Sequence, residues 1–291
     1  MNDDWLTYQK KMDNQHPQVL GLIAGQERFP FLVADGAKKA GLRVICVGLA
    51  DNAEPSLAEH VDVFFWGAIA RPGGWLRKLK KHGVHYAIMA GRVEKAKIFT
   101  PFRILKYLPD WRALRIWYWR LRNTDRRNDN VLRAIAEEFA ASGIILEDST
   151  MYCKEHMASE GLMTRRRPAD SIWDDIKFGW PLVKELGRLD IGQAIAVRER
   201  EIIAVEAIEG TAEMIERAGQ LCKKGGWTLL KAAKPQQDLR FDVPCVGKDT
   251  IEALHRHGAA CLVVEKQKVL ILDKPETLAL ADQLGIAVIG Y

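Results

Sequence analysis

No apolar run in this 291-residue sequence approaches the roughly 18 residues that a membrane-spanning helix requires, so no transmembrane segment is expected. Five cysteines, Cys46, Cys153, Cys222, Cys245 and Cys261, form no Cys-x-x-Cys pair, which argues against structural zinc and a disulfide scaffold and for reduced thiols. Residues 1–11 start acidic and lack the basic-then-apolar order of a secretory signal, and the expected location is the cytoplasm. There is no Walker sequence, no His-Glu-x-x-His and no Gly-x-Ser-x-Gly elbow, so P-loop, zincin and serine-hydrolase chemistry are set aside. The seven histidines are scattered and read as surface or satisfied side chains. Internal repeats and low-complexity tracts are also missing.

What is present is the composition of a soluble globular protein, 48% hydrophobic and 28% charged, in a chain long enough for two domains. A net charge of +5 and a pI near 8.9 favour an anionic partner. A phosphate ester, an anionic membrane and a nucleic acid all satisfy that.

Periodicity places strands at residues 18–25, 42–49, 61–66 and 86–91, with helices at 30–40 and 75–81 between them. Strands alternating with helices imply a parallel sheet and a Rossmann-like domain, which binds ligands beyond the carboxyl ends of its strands. Gly25 and Gly91 fall at two such ends. A helix at 130–141 and a strand at 144–147 complete a first domain, bounded at 17–148. The second, 149–291, alternates helices at 172–186, 211–223, 250–257 and 275–284 with strands at 194–197, 202–206, 227–232, 261–265, 269–272 and 287–289. Hairpin-like strand pairs there predict a mixed sheet. The fold class is therefore α/β in two domains, a Rossmann-like parallel sheet followed by an α/β domain with a mixed sheet.

Several segments carry residues suited to phosphate chemistry. Gly25-Gln26-Glu27-Arg28-Phe29-Pro30 turns from a strand into a helix whose first N–H groups suit a diphosphate, although it lacks the three-glycine dinucleotide fingerprint. Glu206-Ala207-Ile208-Glu209-Gly210-Thr211 sends two carboxylates from a strand end into a helix that the Thr211 hydroxyl is expected to cap. The same residues equally fit a solvated glutamate beside an ordinary cap. Asp190-Ile191-Gly192-Gln193 is a tight connection suited to a ligand's polar edge, or to a turn that satisfies only its own backbone. The densest group runs from Lys231 through Lys234, Pro235, Gln236, Gln237, Asp238, Arg240, Asp242 and Pro244 to Gly247. Cations that offset phosphoryl charge and a carboxylate that holds a divalent ion or orients water are what diphosphate hydrolysis needs. A solvated loop with incidental ion pairs has the same composition.

Taken together, Leu22-Ile23-Ala24-Gly25 with Phe29-Pro30, Ala90-Gly91-Arg92-Val93, Gly187-Arg188-Leu189-Asp190-Ile191-Gly192-Gln193, Val205-Glu206-Ala207-Ile208-Glu209-Gly210-Thr211 and Lys234-Pro235 through Gln237-Asp238-Leu239-Arg240-Phe241-Asp242-Val243-Pro244 resemble the LpxI family, in order and spacing, over residues 19–290. The resemblance implies a lipid A pathway enzyme that holds UDP-2,3-diacylglucosamine between its two domains. It would release UMP and 2,3-diacylglucosamine 1-phosphate with Mg²⁺ or another divalent cation. Asp242 matches the family's catalytic aspartate and is also the metal candidate. Arg28, Gly91, Arg92, Gln193 and Thr211 fall where the family contacts its ligand. Gly25, Asp190, Glu206, Glu209, Lys234, Asp238 and Arg240 are further candidates chosen for charge and position. The chain departs from the family in having Glu27 where a second glycine is usual and Cys245 where threonine is usual.

Residues 102–122 interleave Trp111, Trp117, Tyr118 and Trp119 with six arginines and lysines. For a diacylated substrate this suits peripheral contact with the cytoplasmic face of the inner membrane, though tryptophans at helical spacing also suit a core or a subunit contact. Homodimerisation is left open. Nucleic acid is not the expected partner, since only this stretch favours it. Two other functions compete: a nicotinamide-dependent oxidoreductase, suggested by the first domain and by Asp51 beyond the second strand, and a nucleotide-sugar-binding protein that never turns its ligand over.

Overall fold

The computed structural model describes residues 19–93, 109–115 and 128–291. Of the basic aromatic stretch, only 109–115 lies within the described residues. Contacts divide the chain into two compact units, 1–152 and 153–291.

The first unit runs β1 (Val19–Ala24), α1 (Phe29–Lys39), β2 (Arg43–Leu49), β3 (Val63–Gly67), α2 (Pro72–Lys81), β4 (Tyr86–Ala90), α3 (Trp111–Arg115), α4 (Asn128–Ala141) and β5 (Ile145–Leu146). Its strands form a parallel sheet ordered β3-β2-β1-β4-β5, with Leu22 opposite Cys46 on one side and Ile88 on the other. β1 and β2 are apolar along almost their whole length because both faces of a parallel sheet are covered. In α1, Pro30 pre-sets the first turn, Lys38 and Lys39 face the negative end of the helix dipole, and Phe31, Leu32, Ala34 and Ala37 are buried. Strand order reverses between β1 and β4, which makes their carboxyl ends the switch point of the sheet.

The second unit runs β6 (Gly161–Leu162), α5 (Asp170–Arg188), β7 (Ala194–Arg198), β8 (Glu201–Val205), α6 (Thr211–Leu221), β9 (Trp227–Lys231), β10 (Cys245–Val246), α7 (Lys248–Arg256), β11 (Ala259–Val264), β12 (Leu270–Ile271), α8 (Lys274–Leu284) and β13 (Ala287–Gly290). Six strands form a mixed sheet ordered β6-β13-β11-β9-β7-β8. Alternation along each strand sorts the core into two layers. Ile195, Val197, Leu230, Val263 and Ile289 pack with Ile176 and Val183 of α5, while Ala196, Trp227, Leu229, Leu262 and Val288 pack with Met214, Ile251 and Ala281 of the other helices. Gly179 lets α5 lie close to the sheet, since a Cβ there would meet Leu230 Cδ1 at 2.3 Å.

Of the two strand pairs expected as hairpins, β7 and β8 pair antiparallel, but the pair at 261–265 and 269–272 does not. β12 instead pairs with β10 in a separate parallel ladder, because β11 already has β9 and β13 on its two edges. No described helix is long and apolar enough to cross a membrane. The five cysteines are free, and burial pushes the Cys46 thiol up to about 12.

Candidate active site

At the switch point of the first sheet, the loops leaving β1 and β4 are pressed together. Gly25 N donates to Ala90 O at 2.8 Å, Gln26 N donates to Arg92 O at 2.8 Å, and Gln26 and Arg92 form an isolated antiparallel bridge. A Cβ on Gly25 would meet Arg92 O at 2.5 Å, and one on Gly91, whose φ is +91°, would meet Gln26 O at 2.5 Å. Both glycines are thus required by backbone approach. Glu27 is exposed and takes φ +73°, the left-handed conformation that a glycine adopts without cost. Arg28 is exposed at the N-cap position of α1, and its guanidinium lies 4.7 Å from the centre of the Phe31 ring. Gly25, Arg28, Gly91 and the exposed Arg92 therefore share one end of the sheet.

The second unit gathers its candidates on one edge of its sheet, where β9, β11 and β13 end, β7 begins and β8 ends. The buried Glu206 carboxylate accepts from Thr211 Oγ1 at 2.8 Å and from Gln193 N at 3.2 Å. Gly192 permits this approach, since a Cβ there would lie 2.0 Å from Glu206 O. The Gln193 side-chain oxygen is buried and has no hydrogen-bond partner among the described residues. Lys231, 6% exposed at the end of β9, donates to Thr211 Oγ1 at 3.1 Å and to Cys245 O at 3.0 Å. Gln193, Glu206, Thr211 and Lys231 are therefore one hydrogen-bonded group.

The expected cap at Thr211 is not made. Gly210, with φ +89°, occupies the N-cap of α6 without a side-chain bond, and the Thr211 hydroxyl is turned to Glu206 instead. The hydroxyl gives its proton to a charged acceptor, Glu206, and its oxygen accepts from Lys231 Nζ instead of from the helix's own N–H groups.

The 232–245 segment that leaves β9 carries the remaining candidates. Lys234 Nζ lies 2.6 Å from Asp190 Oδ1, and Asp190 itself takes φ +57°. Asp238 and Arg240 pair with each other, Nη2 to Oδ2 at 2.6 Å, and the guanidinium lies over the Phe241 ring. Asp242 is exposed, with Oδ2 accepting from Gln237 Nε2 at 2.7 Å. Glu209 does not join the Glu206 group: it pairs with Arg217 on the surface, and backbone N–H donors, its own and that of Ala207, hold its carboxyl below the ordinary range with a smaller contribution from Arg217.

The start of the segment is held by a second network, built around a buried carboxylate. Glu265, at the end of β11, accepts from Ala233 N at 2.9 Å and from Lys184 Nζ at 2.9 Å, and Lys268 Nζ lies 2.9 Å from its other oxygen. Burial would raise the Glu265 carboxyl, but the two ammonium groups hold it below its ordinary value. Sequence reasoning missed this network and the place of Lys231. A lone charge ending an apolar strand was the visible signal at both Lys231 and Glu265; the pairing of Lys184 with Glu265, 81 residues apart, left no local trace. A cavity of about 480 Å³ beside the network is lined by Trp180, Glu265, Lys268 and Tyr291 among others, none of them a predicted site residue.

Comparison with known proteins places both units. The LpxI N-terminal domain matches residues 19–156 and the LpxI C-terminal domain matches 159–289. The UDP-2,3-diacylglucosamine pyrophosphatase LpxI of Caulobacter vibrioides is 32% identical over 280 residues, covering 93% of this chain and 96% of its own. With both domains matched in order and a relative aligned along nearly the full length, the chain belongs to the LpxI family.

Proposed function

We propose that this protein hydrolyses the diphosphate bond of UDP-2,3-diacylglucosamine, giving UMP and 2,3-diacylglucosamine 1-phosphate in lipid A biosynthesis. The observation that carries this reading is the end-to-end match to a pyrophosphatase named for that substrate. An oxidoreductase finds no such counterpart. The strand order of the first unit supports a Rossmann-like reading, in which the Gly25 and Gly91 loops receive the nucleotide diphosphate at the switch point with Arg28 and Arg92 offsetting its charge. In the second unit the buried Gln193 acceptor awaits a donor that the described residues do not supply, as a hydroxyl- or imide-bearing ligand would.

Asp242 is the proposed catalytic carboxylate. Its partner is a neutral amide rather than a cation, which leaves its charge available to a metal or an attacking water. Among the described residues no three His, Cys, Asp or Glu side chains are grouped as a metal cage. Mg²⁺ does not need one, since it is commonly held by one or two carboxylates together with substrate phosphates. Asp242 fits that mode and would hold the ion. When bound, the cation supplies charge neutralisation at the phosphoryl oxygens. Lys234 and Arg240 are already paired with Asp190 and Asp238, so their part in the site is to order the segment around Asp242. The proposed location is the cytoplasm, with peripheral contact at the membrane that carries the substrate.

The deciding experiment incubates the purified protein with UDP-2,3-diacylglucosamine, with and without chelator. Release of UMP and the sugar 1-phosphate, suppressed by chelator and restored by Mg²⁺, is expected. Binding without any UMP release would reject the reaction in favour of a sensor.

A further inference from the structure

β9 buries Trp227, Thr228, Leu229 and Leu230 and then ends in a lysine that is 6% exposed. Burying an ammonium costs several kcal/mol before its partners repay it. A lysine here therefore has to be explained by where its protons go. They go to Thr211 Oγ1 at 3.1 Å and to Cys245 O at 3.0 Å, groups that lie 20 and 14 residues away in sequence. Having accepted from Lys231, the Thr211 hydroxyl directs its own proton to Glu206 Oε1, 2.8 Å away. Glu206 Oε2 in turn accepts from Gln193 N at 3.2 Å. One ammonium thus orders the Gln193 turn, the start of α6, and the backbone just beyond Asp242.

Resting on the hydrolase reading, we infer that Lys231 is a positioning residue of diphosphate cleavage, fixing Thr211 and the Asp242 segment in one mutual arrangement. It acts through the Thr211 hydroxyl and the Cys245 carbonyl rather than on the substrate. Its removal loosens the arrangement in which Asp242 works, and misplacement on the scale of an ångström costs roughly 10- to 100-fold in turnover.

The test compares Lys231→Met, which keeps length and loses charge, with Lys231→Arg, which keeps the charge near Glu206 and moves the donors. Both are measured in the full chain by UMP release and by amide hydrogen exchange. In each variant kcat is expected to fall, by roughly 10-fold or more in Lys231→Met, with KM nearly unchanged. Exchange should rise in residues 207–213 and 238–247 while β9 and β11 stay protected. Should Lys231→Met fail to fold, Lys231→Arg carries the same readouts, because Glu206 keeps a cation nearby. Wild-type kcat in both variants would overturn the inference, as would loss of protection across the whole sheet with activity falling only in step with the folded fraction. If the wild-type protein releases no UMP, the hydrolase reading is what fails. The exchange measurement then bears on the structural part alone: local loosening upholds Lys231 as the group that orders Thr211 and the Asp242 segment, and unchanged exchange ends that as well.

Discussion

Gly25 and Gly91 are mutually exclusive with any side chain: a Cβ on either comes within 2.5 Å of a carbonyl oxygen in the opposite loop. Backbone cannot retreat as a side chain can, because Gly25 N and Gln26 N are bonded across the same junction. Gly25→Ala and Gly91→Ala are each expected to cost about 1–3 kcal/mol, the larger loss falling on Gly91, where a positive φ adds strain to the clash. Denaturant unfolding of the two variants checks this. Under the proposed function KM for the substrate should rise in both, since the loops that would meet the diphosphate are forced apart.

Asp242 presents the opposite case, a residue whose removal should hardly be felt by the fold. It is exposed, and its neutral partner Gln237 also accepts from Lys234 N, so the turn keeps an internal bond without it. Asp242→Ala should change stability by no more than about 0.5 kcal/mol. Turnover should nevertheless be lost almost completely, with UDP-2,3-diacylglucosamine still bound. Calorimetry of substrate binding together with a UMP assay separates the two. A variant that keeps full turnover would remove Asp242 from the role proposed for it.

How legible all this was depended on the range of the interactions. Strands such as Val19–Ala24 and helices such as Phe29–Lys39 write their own period and punctuation into the chain, and these were readable. β10 and β6 are two-residue ladders that exist only because a distant strand offers an edge, and no local pattern announces them. The segment at 269–272 looked like the return of a hairpin, yet pairing is decided by which edges remain open, and β11 had none. At the site, Gly25, Gly91, Gly192 and Gly210 were visible as turn residues, whereas the partner of each charge was not. Glu206 chose Thr211 and Glu209 chose Arg217 because of how two turns bring them round, which a list of charged residues does not contain.

Arg112 and Arg115 illustrate the same point within the basic aromatic stretch. Both bond the Glu138 carboxylate of α4, whose side chain is 1% exposed, Arg112 at 2.7 Å and with a further bond to Ser142 Oγ. Burial alone would raise that carboxyl, but the two guanidiniums, Arg115 foremost, hold it below its ordinary value. These two cations are thus engaged inside their own unit. The double variant Arg112→Ala/Arg115→Ala removes both cations that bond this carboxylate among the described residues and should lower the midpoint of denaturant unfolding. Restoring stability with Glu138→Leu in the same background would show that the unpaired charge, not lost packing of the arginine stems, is responsible.

The Glu265 network supplies a pH dependence whose sign follows from its geometry. Its carboxyl titrates below the ordinary 4.5 when folded, because Lys184 and Lys268 favour the charged form more than burial disfavours it. The folded state therefore releases this proton more readily than the unfolded chain. The resulting stabilisation is fully present above about pH 4.5, and it disappears as the pH falls through the lower folded value. Glu265→Gln keeps an acceptor for Ala233 N but has no charge to titrate. At pH 7 it should be less stable than the wild type by about 2 kcal/mol, the worth of charged hydrogen bonds replaced by neutral ones. As the pH is lowered through the carboxylate range the two unfolding midpoints should converge. A difference that stays constant from pH 7 to the acid end would mean that Glu265 holds Ala233 by shape alone and that its ion pairs with Lys184 and Lys268 add nothing.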